Sequence, residues 1–172
     1  GAVSGDVDVS DATGRIELES VSGDIKAEHL AGESRINAVS GDVTISTITG
    51  TLELETVSGE MSIERANLTS LRTESVSGEL TYDGTLSGSG RYEFHSQSGD
   101  IRLRIPASSG GSVRVETFSG SVESDFPMTM QPGDRSMGEH PKRLEFTFGK
   151  GETRITAETF SGDITIEKTG TP

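Results

Sequence analysis

Apolar and polar residues alternate along this chain in short runs, and each run starts from a glycine. After Gly23 the apolar positions are Ile25, Ala27 and Leu30; after Gly41 they are Val43, Ile45 and Ile48; after Gly50 they are Leu52, Leu54 and Val57. The apolar side chains thus fall two, four and seven residues beyond each glycine, and through Gly59 the glycines recur at a step of nine. A two-residue alternation closed by a turn residue predicts half-buried strands rather than helices. Self-similarity at a short fixed period predicts stacked coils.

Every second glycine sits in a Ser-Gly pair, giving the corners Gly5, Gly23, Gly41, Gly59, Gly78, Gly99, Gly120 and Gly162. Their spacings are 18, 18, 18, 19, 21, 21 and 42 residues, the last equal to two coils of 21. All eight aromatic residues lie from Tyr82 onward. Longer coils enclose wider cores, which need larger side chains for close packing. The expectation is an all-β, single-stranded parallel β-solenoid of about 18–21 residues per coil that widens toward its carboxyl end. The usual rule for parallel crossovers makes it right-handed. It forms one domain over residues 1–172, with an irregular strand and loop inserted at 124–143, where Pro127, Pro132 and Pro141 fall.

Parallel stacking gains support from an outward file, Glu17, Arg35, Glu53, Arg72, Glu93 and Arg114, whose signs alternate from coil to coil. Opposite charges in register between neighbouring strands favour pairing, and like charges oppose it. A second file precedes the corner serines: Val21, Val39, Val57, Val76, Phe118 and Phe160. It is expected to be continuous and buried.

Only 30% of residues are apolar, which three inward positions in nine explain without invoking disorder. The net charge of −13 argues against nucleic acid or anionic lipid as partner, since both carry the same sign. No cysteine is present, which excludes disulfides and thiol chemistry. No stretch reaches membrane-spanning length and no signal peptide stands at the start. The opening residues already belong to a repeat, so the chain reads as a piece of a longer protein whose export signal or anchor lies outside it.

Candidate chemistry concentrates at the corners. Asp24, Asp42, Glu60, Glu79 and Asp100 follow the corner glycines and would stack as an acidic edge able to offer hard oxygen ligands to a divalent cation. Against this, acids at corners commonly cap backbone N–H groups and deter edge association. The file Glu19, Asn37, Glu55, Glu74, His95, Glu116 and Glu158 runs beside it. The repeated serines are better suited to bonding corner backbone than to nucleophilic attack. His29, His95 and His140 share no metal-ligand spacing, and the first two fall at outward strand positions. Met128, Met130, Met137 and His140 could hold a soft metal, but alternation with Phe126 places Met128 and Met130 in the core. No catalytic residue and no cofactor is indicated.

The recurring Val-Ser-Gly-Asp phrase, with its late form Thr159-Phe160-Ser161-Gly162-Asp163-Ile164-Thr165-Ile166, resembles the bacterial adhesin-type repeat family of unknown function also called the toastrack domain. That resemblance implies a β-solenoid of bacterial cell-envelope or extracellular proteins, acting without catalysis as a structural or interaction module. The alternative is a binding module whose acidic edge holds divalent cations or a cationic envelope-active peptide. The expected partner is a protein or envelope component, with no nucleic acid and no direct membrane insertion. An uncapped first coil around Val7 and Val9 would also let the chain associate with itself.

Overall fold

The computed structural model describes residues 2–127 and 142–170. Among the described residues, thirteen strands form one continuous sheet wound into stacked coils, with no helix and hence none able to cross a membrane. In chain order the strands are β1 (Ala2–Ser4), β2 (Val7–Ser10), β3 (Thr13–Ser22), β4 (Ile25–Ser40), β5 (Val43–Ser58), β6 (Met61–Ser77), β7 (Leu80–Ser98), β8 (Ile101–Pro106), β9 (Gly111–Ser119), β10 (Val122–Ser124), β11 (Lys142–Phe148), β12 (Thr153–Ser161) and β13 (Ile164–Thr169). Strands β4 to β7 each make a whole coil and pair in parallel with the coils on either side. Gly32 lies over Gly50, and Ile25 over Val43, which lies over Met61. The parallel β-solenoid is the fold.

Corner glycines are required on two counts. At Gly41 the backbone has φ 121°, and a Cβ would also run into the carbonyl oxygen of Gly23 one coil below. Gly120 needs no unusual φ, yet a Cβ there would strike the Gly162 carbonyl just as hard. Close approach between coils is the requirement shared by both positions.

The two halves of a coil differ in a way that the nine-residue period conceals. In the first half, the residue six beyond the corner glycine bends through positive φ: Asp11 (55°), His29 (52°), Thr47 (63°) and Arg65 (51°). That bend consumes one residue and resets the alternation, so Leu30, Ile48 and Ala66, seven beyond the glycine, point into the core. His29 therefore sits on a bend and not on a regular strand. The second half has no such bend. Its alternation continues unbroken through Leu52, Leu54 and Thr56, all buried, and throws Val57 outward. The valine and phenylalanine file is accordingly exposed, not buried: Val57 is 48% accessible and Phe160 56%.

Widening is visible in the core. Small aliphatic side chains fill the early coils, whereas Tyr82, Tyr92 and Phe94 fill the later ones, their rings meeting edge to face at 5.9 and 5.8 Å. The Tyr82 hydroxyl donates to Thr85 O at 3.1 Å, and that of Tyr92 donates to Leu68 O while accepting from Ser87 N–H. The residues added in the later coils leave the ladder at irregularities near Thr69 and between Leu86 and Arg91.

Stacking departs from chain order at the carboxyl end. Strand β12 lies between β7 and β9, and β13 lies between β8 and β10, so the corners run Gly78, Gly99, Gly162, Gly120. The interval of 42 residues is a detour: β11 runs antiparallel along the outer edge of β9, and the chain then returns to fill the gap. As a result Thr156 intervenes between Glu93 and Arg114 in the charge ladder, and Arg114 pairs with Glu145 at 2.6 Å. Phe126, Phe146 and Phe148 are buried at this end, with Phe126 and Phe148 4.7 Å apart. The soft-metal candidates Met128, Met130, Met137 and His140, and most of the insertion, lie outside the described residues.

Candidate interaction surface

Around the corners from Gly5 to Gly78 the sequence Val-Ser-Gly-acid assigns one job per position. Ser40, Ser58 and Ser77 donate their hydroxyls to the carbonyls of Val21, Val39 and Val57, one coil below, at 3.1–3.3 Å. The acids, on the other side of the corner, accept from backbone of the next coil above. Asp24 Oδ1 accepts from Asp42 N–H at 3.0 Å, Asp42 Oδ1 from Glu60 N–H at 2.8 Å, and Asp100 Oδ1 from Asp163 N–H at 2.8 Å. Of the remaining edge candidates, Glu79 pairs with Arg102 at 2.6 Å. The structure thus stacks Asp24, Asp42, Glu60, Glu79 and Asp100 as the spacing suggests, and occupies the aspartates with neighbouring backbone. Among the described residues no three His, Asp or Glu side chains converge so as to hold a metal.

Immediately before the corners lies a shallow groove of about 760 Å³ that runs across the coils. Its floor is a file of small, buried residues: Ser20, Ala38, Thr56, Ser75 and Ser96. The Thr56 and Ser96 hydroxyls have no hydrogen-bond partner among the described residues. Along one side stand Glu19, Asn37, Glu55, Glu74 and His95. On the other side stands the exposed file Val21, Val39, Val57 and Val76, which continues past Gln97 to Phe160 and Phe118. Every large hydrophobic residue exposed among the described residues belongs to this one file, which begins at Val3. Phe160 and Phe118 stack face to face, 4.8 Å apart. With coils spaced by ~4.8 Å, the stripe is about 30 Å long. Contiguous exposed apolar surface of this kind marks interaction sites.

Charge is distributed unevenly beside the stripe. Glu74 pairs with Arg72, His95 lies 3.3 Å from Glu158, and Glu116 takes Arg143 at 2.7 Å. Glu19 and Glu55, toward the amino end, have no ion-pair partner among the described residues. On the outward face of the same coil half, Arg35 is bound by Glu53, whose hydrogen bond and charge raise the guanidinium pKa further.

The sequence model of the Toastrack DUF4097 family matches residues 2–167, nearly the whole described molecule. The chain belongs to this family. No curated protein and no solved structure gives a match. Toastrack membership agrees with the solenoid and assigns no function to it. The nine-residue period hides this surface because it gives the two coil halves the same spacing although only one of them bends. The signal that finds it is strict alternation carried on from Leu52 and Leu54 to Thr56, which leaves Val57 outside.

Proposed function

We propose that this toastrack domain is a non-enzymatic interaction module of the bacterial cell envelope, a rigid β-solenoid that presents one surface line to a protein or envelope component. The observation that carries this reading is the exposed file from Val21 through Val76 to Phe160 and Phe118, outside which the large apolar side chains among the described residues are buried or partly buried. Repetition of one residue type along one line suits docking and not catalysis, which needs different groups converging on one point. The repeated Ser and Asp side chains, the most numerous candidates for chemistry, are engaged in bonds between coils. A cation-holding acidic edge is the weaker reading for the same reason.

The test is photo-crosslinking in the producing cell, with benzoylphenylalanine placed at Val57 or, as control, at exposed Lys26 on the other half of a coil. A discrete adduct from position 57 in the envelope fraction, missing from position 26, is expected. Equal, diffuse labelling from both positions, or adducts confined to the cytosol, overturns the reading.

A further inference from the structure

We infer that the groove beside the valine stripe receives an amphipathic, basic α-helix of a partner protein, lying along the solenoid axis. This rests on the interaction reading above and specifies its partner.

The first argument is spacing. Docking points on the stripe repeat once per coil, at ~4.8 Å. Residues on one face of a helix return every turn, at ~5.4 Å, whereas alternate residues of an extended chain return at ~6.7 Å. Over the three steps from Val21 to Val76 the helix drifts by about 2 Å and the extended chain by about 6 Å, nearly a full residue pair. A helix therefore stays in register with successive valines, and small floor residues such as Ala38 and Thr56 leave room for its side chains. Apolar anchors at i, i+3, i+4 and i+7 are what such grooves read.

Charge supplies the second argument. Glu19 and Glu55 flank the stripe on one side without ion-pair partners among the described residues, and Asp24, Asp42 and Glu60 lie three residues beyond it on the other, each aspartate with one carboxylate oxygen taken by a neighbouring N–H. A second copy of this chain would bring acidic files face to face, and the net charge of −13 adds to that repulsion. Lysine or arginine flanking the apolar face of a helix meets both acidic files at once. The stripe ends in the stacked Phe160 and Phe118, where Arg143 offsets the neighbouring Glu116. The basic part of the helix thus belongs over the valines and an apolar end over the phenylalanines.

The experiment uses the full chain and three synthetic 18-residue peptides. One carries Leu at helical spacing flanked by Lys, one has the same composition with Leu and Lys strictly alternating, and one replaces Lys by Glu. Calorimetry and circular dichroism follow binding to the native protein and to a Val39→Gln/Val57→Gln variant, whose exposed sites should leave its melting temperature unchanged. The helical-period basic peptide should bind, gain helicity, and lose at least tenfold in affinity on the variant; the other two peptides should bind at least tenfold more weakly. Should the double variant fold poorly, Val57→Thr alone serves, with a smaller loss expected. Equal binding of the alternating peptide, or unchanged affinity on the variant, overturns the inference by reducing recognition to net charge. A dimer in sedimentation that the variant abolishes assigns the stripe to a second copy and overturns it too. If an adduct forms from position 57 in cells but the helical peptide does not bind, the helix falls while the interaction module stands; without any adduct, the module itself falls.

Discussion

The rings of Phe118 and Phe160 lie 4.8 Å apart and 4° from parallel, although the residues belong to strands separated by the whole β11 excursion. Their contact exists because β12 enters the stack between β7 and β9. Removal of residues 151–172 should therefore strip β7 and β9 of a shared partner. In hydrogen exchange, amides of Gly111–Ser119 should lose protection while those of β4 to β6 keep it. Continued protection of β9 would show that it can stack directly on β7, and that β12 is dispensable.

Much of the architecture was legible in the sequence, because Gly-to-Gly spacing and alternation encode corner and strand separately. The order of the last coils was not. Glu116-Thr117-Phe118-Ser119-Gly120 and Glu158-Thr159-Phe160-Ser161-Gly162 are the same phrase, and either could sit on the corner at Gly99. What orders them is the antiparallel pairing of β11 with β9, a long-range choice that no local pattern records. The exposed stripe is hidden in the sequence for another reason. A single positive-φ residue in one half-coil, His29 or Thr47, changes which side the seventh position faces. Residue identity gives little warning of it, since neither is glycine.

Two causes for glycine at corners can be separated. Gly5 has φ 108° with open space around it, whereas Gly120 has no positive φ but a carbonyl in the path of a Cβ. Gly120→Ala should cost about 1–3 kcal/mol through overpacking. Gly5→Ala should lose about 1–3 kcal/mol from backbone strain alone. Chemical denaturation measures both; a neutral Gly120→Ala would refute the account of close coil approach.

The corner aspartates allow a direct test of the cation alternative. Asp42→Ala leaves the Glu60 N–H without its acceptor and should cost about 1 kcal/mol, while Asp42→Asn retains an oxygen and should cost less. Calcium should shift the melting temperature of neither the native chain nor the variants. A calcium-induced rise in the native chain that Asp42→Asn removes would restore the edge as a metal site.

Burial, and secondarily Tyr92, holds the Tyr82 phenol well above its ordinary pKa; burial also raises Tyr92, against the bond from Ser87 N–H. Above pH ~10 the unfolded chain loses these protons while the folded chain retains them. Stability is thus intact below pH ~10 and falls above it, by about 1.4 kcal/mol per pH unit for each tyrosine. Tyrosinate absorbance should appear together with loss of β-sheet signal. Tyrosine ionisation with the fold intact would contradict the burial.

Strand β2 pairs only with β4 among the described residues, leaving its other side open. Val7 and Asp11 N–H groups donate toward β4, so alternation turns the Asp8 and Ser10 backbone to the open side. We expect the chain to associate through this edge at millimolar concentration, and Asp8→Pro to weaken association without breaking a ladder bond. Sedimentation showing a monomer throughout, or association insensitive to Asp8→Pro, would remove this route.

Because each of strands β3 to β6 contributes one valine and one groove-floor residue and leads into one corner acid, the proposed recognition line is a ruler graduated in coils. Tandem duplication of residues 42–59 would add one graduation of ~4.8 Å without disturbing the rest of the stack. Reach and grip can therefore change by whole-coil gain or loss, with no new contact having to be invented. An insertion of one residue between Leu54 and Val57 is a different event: it would turn the stripe inward at that coil and blank out a single mark.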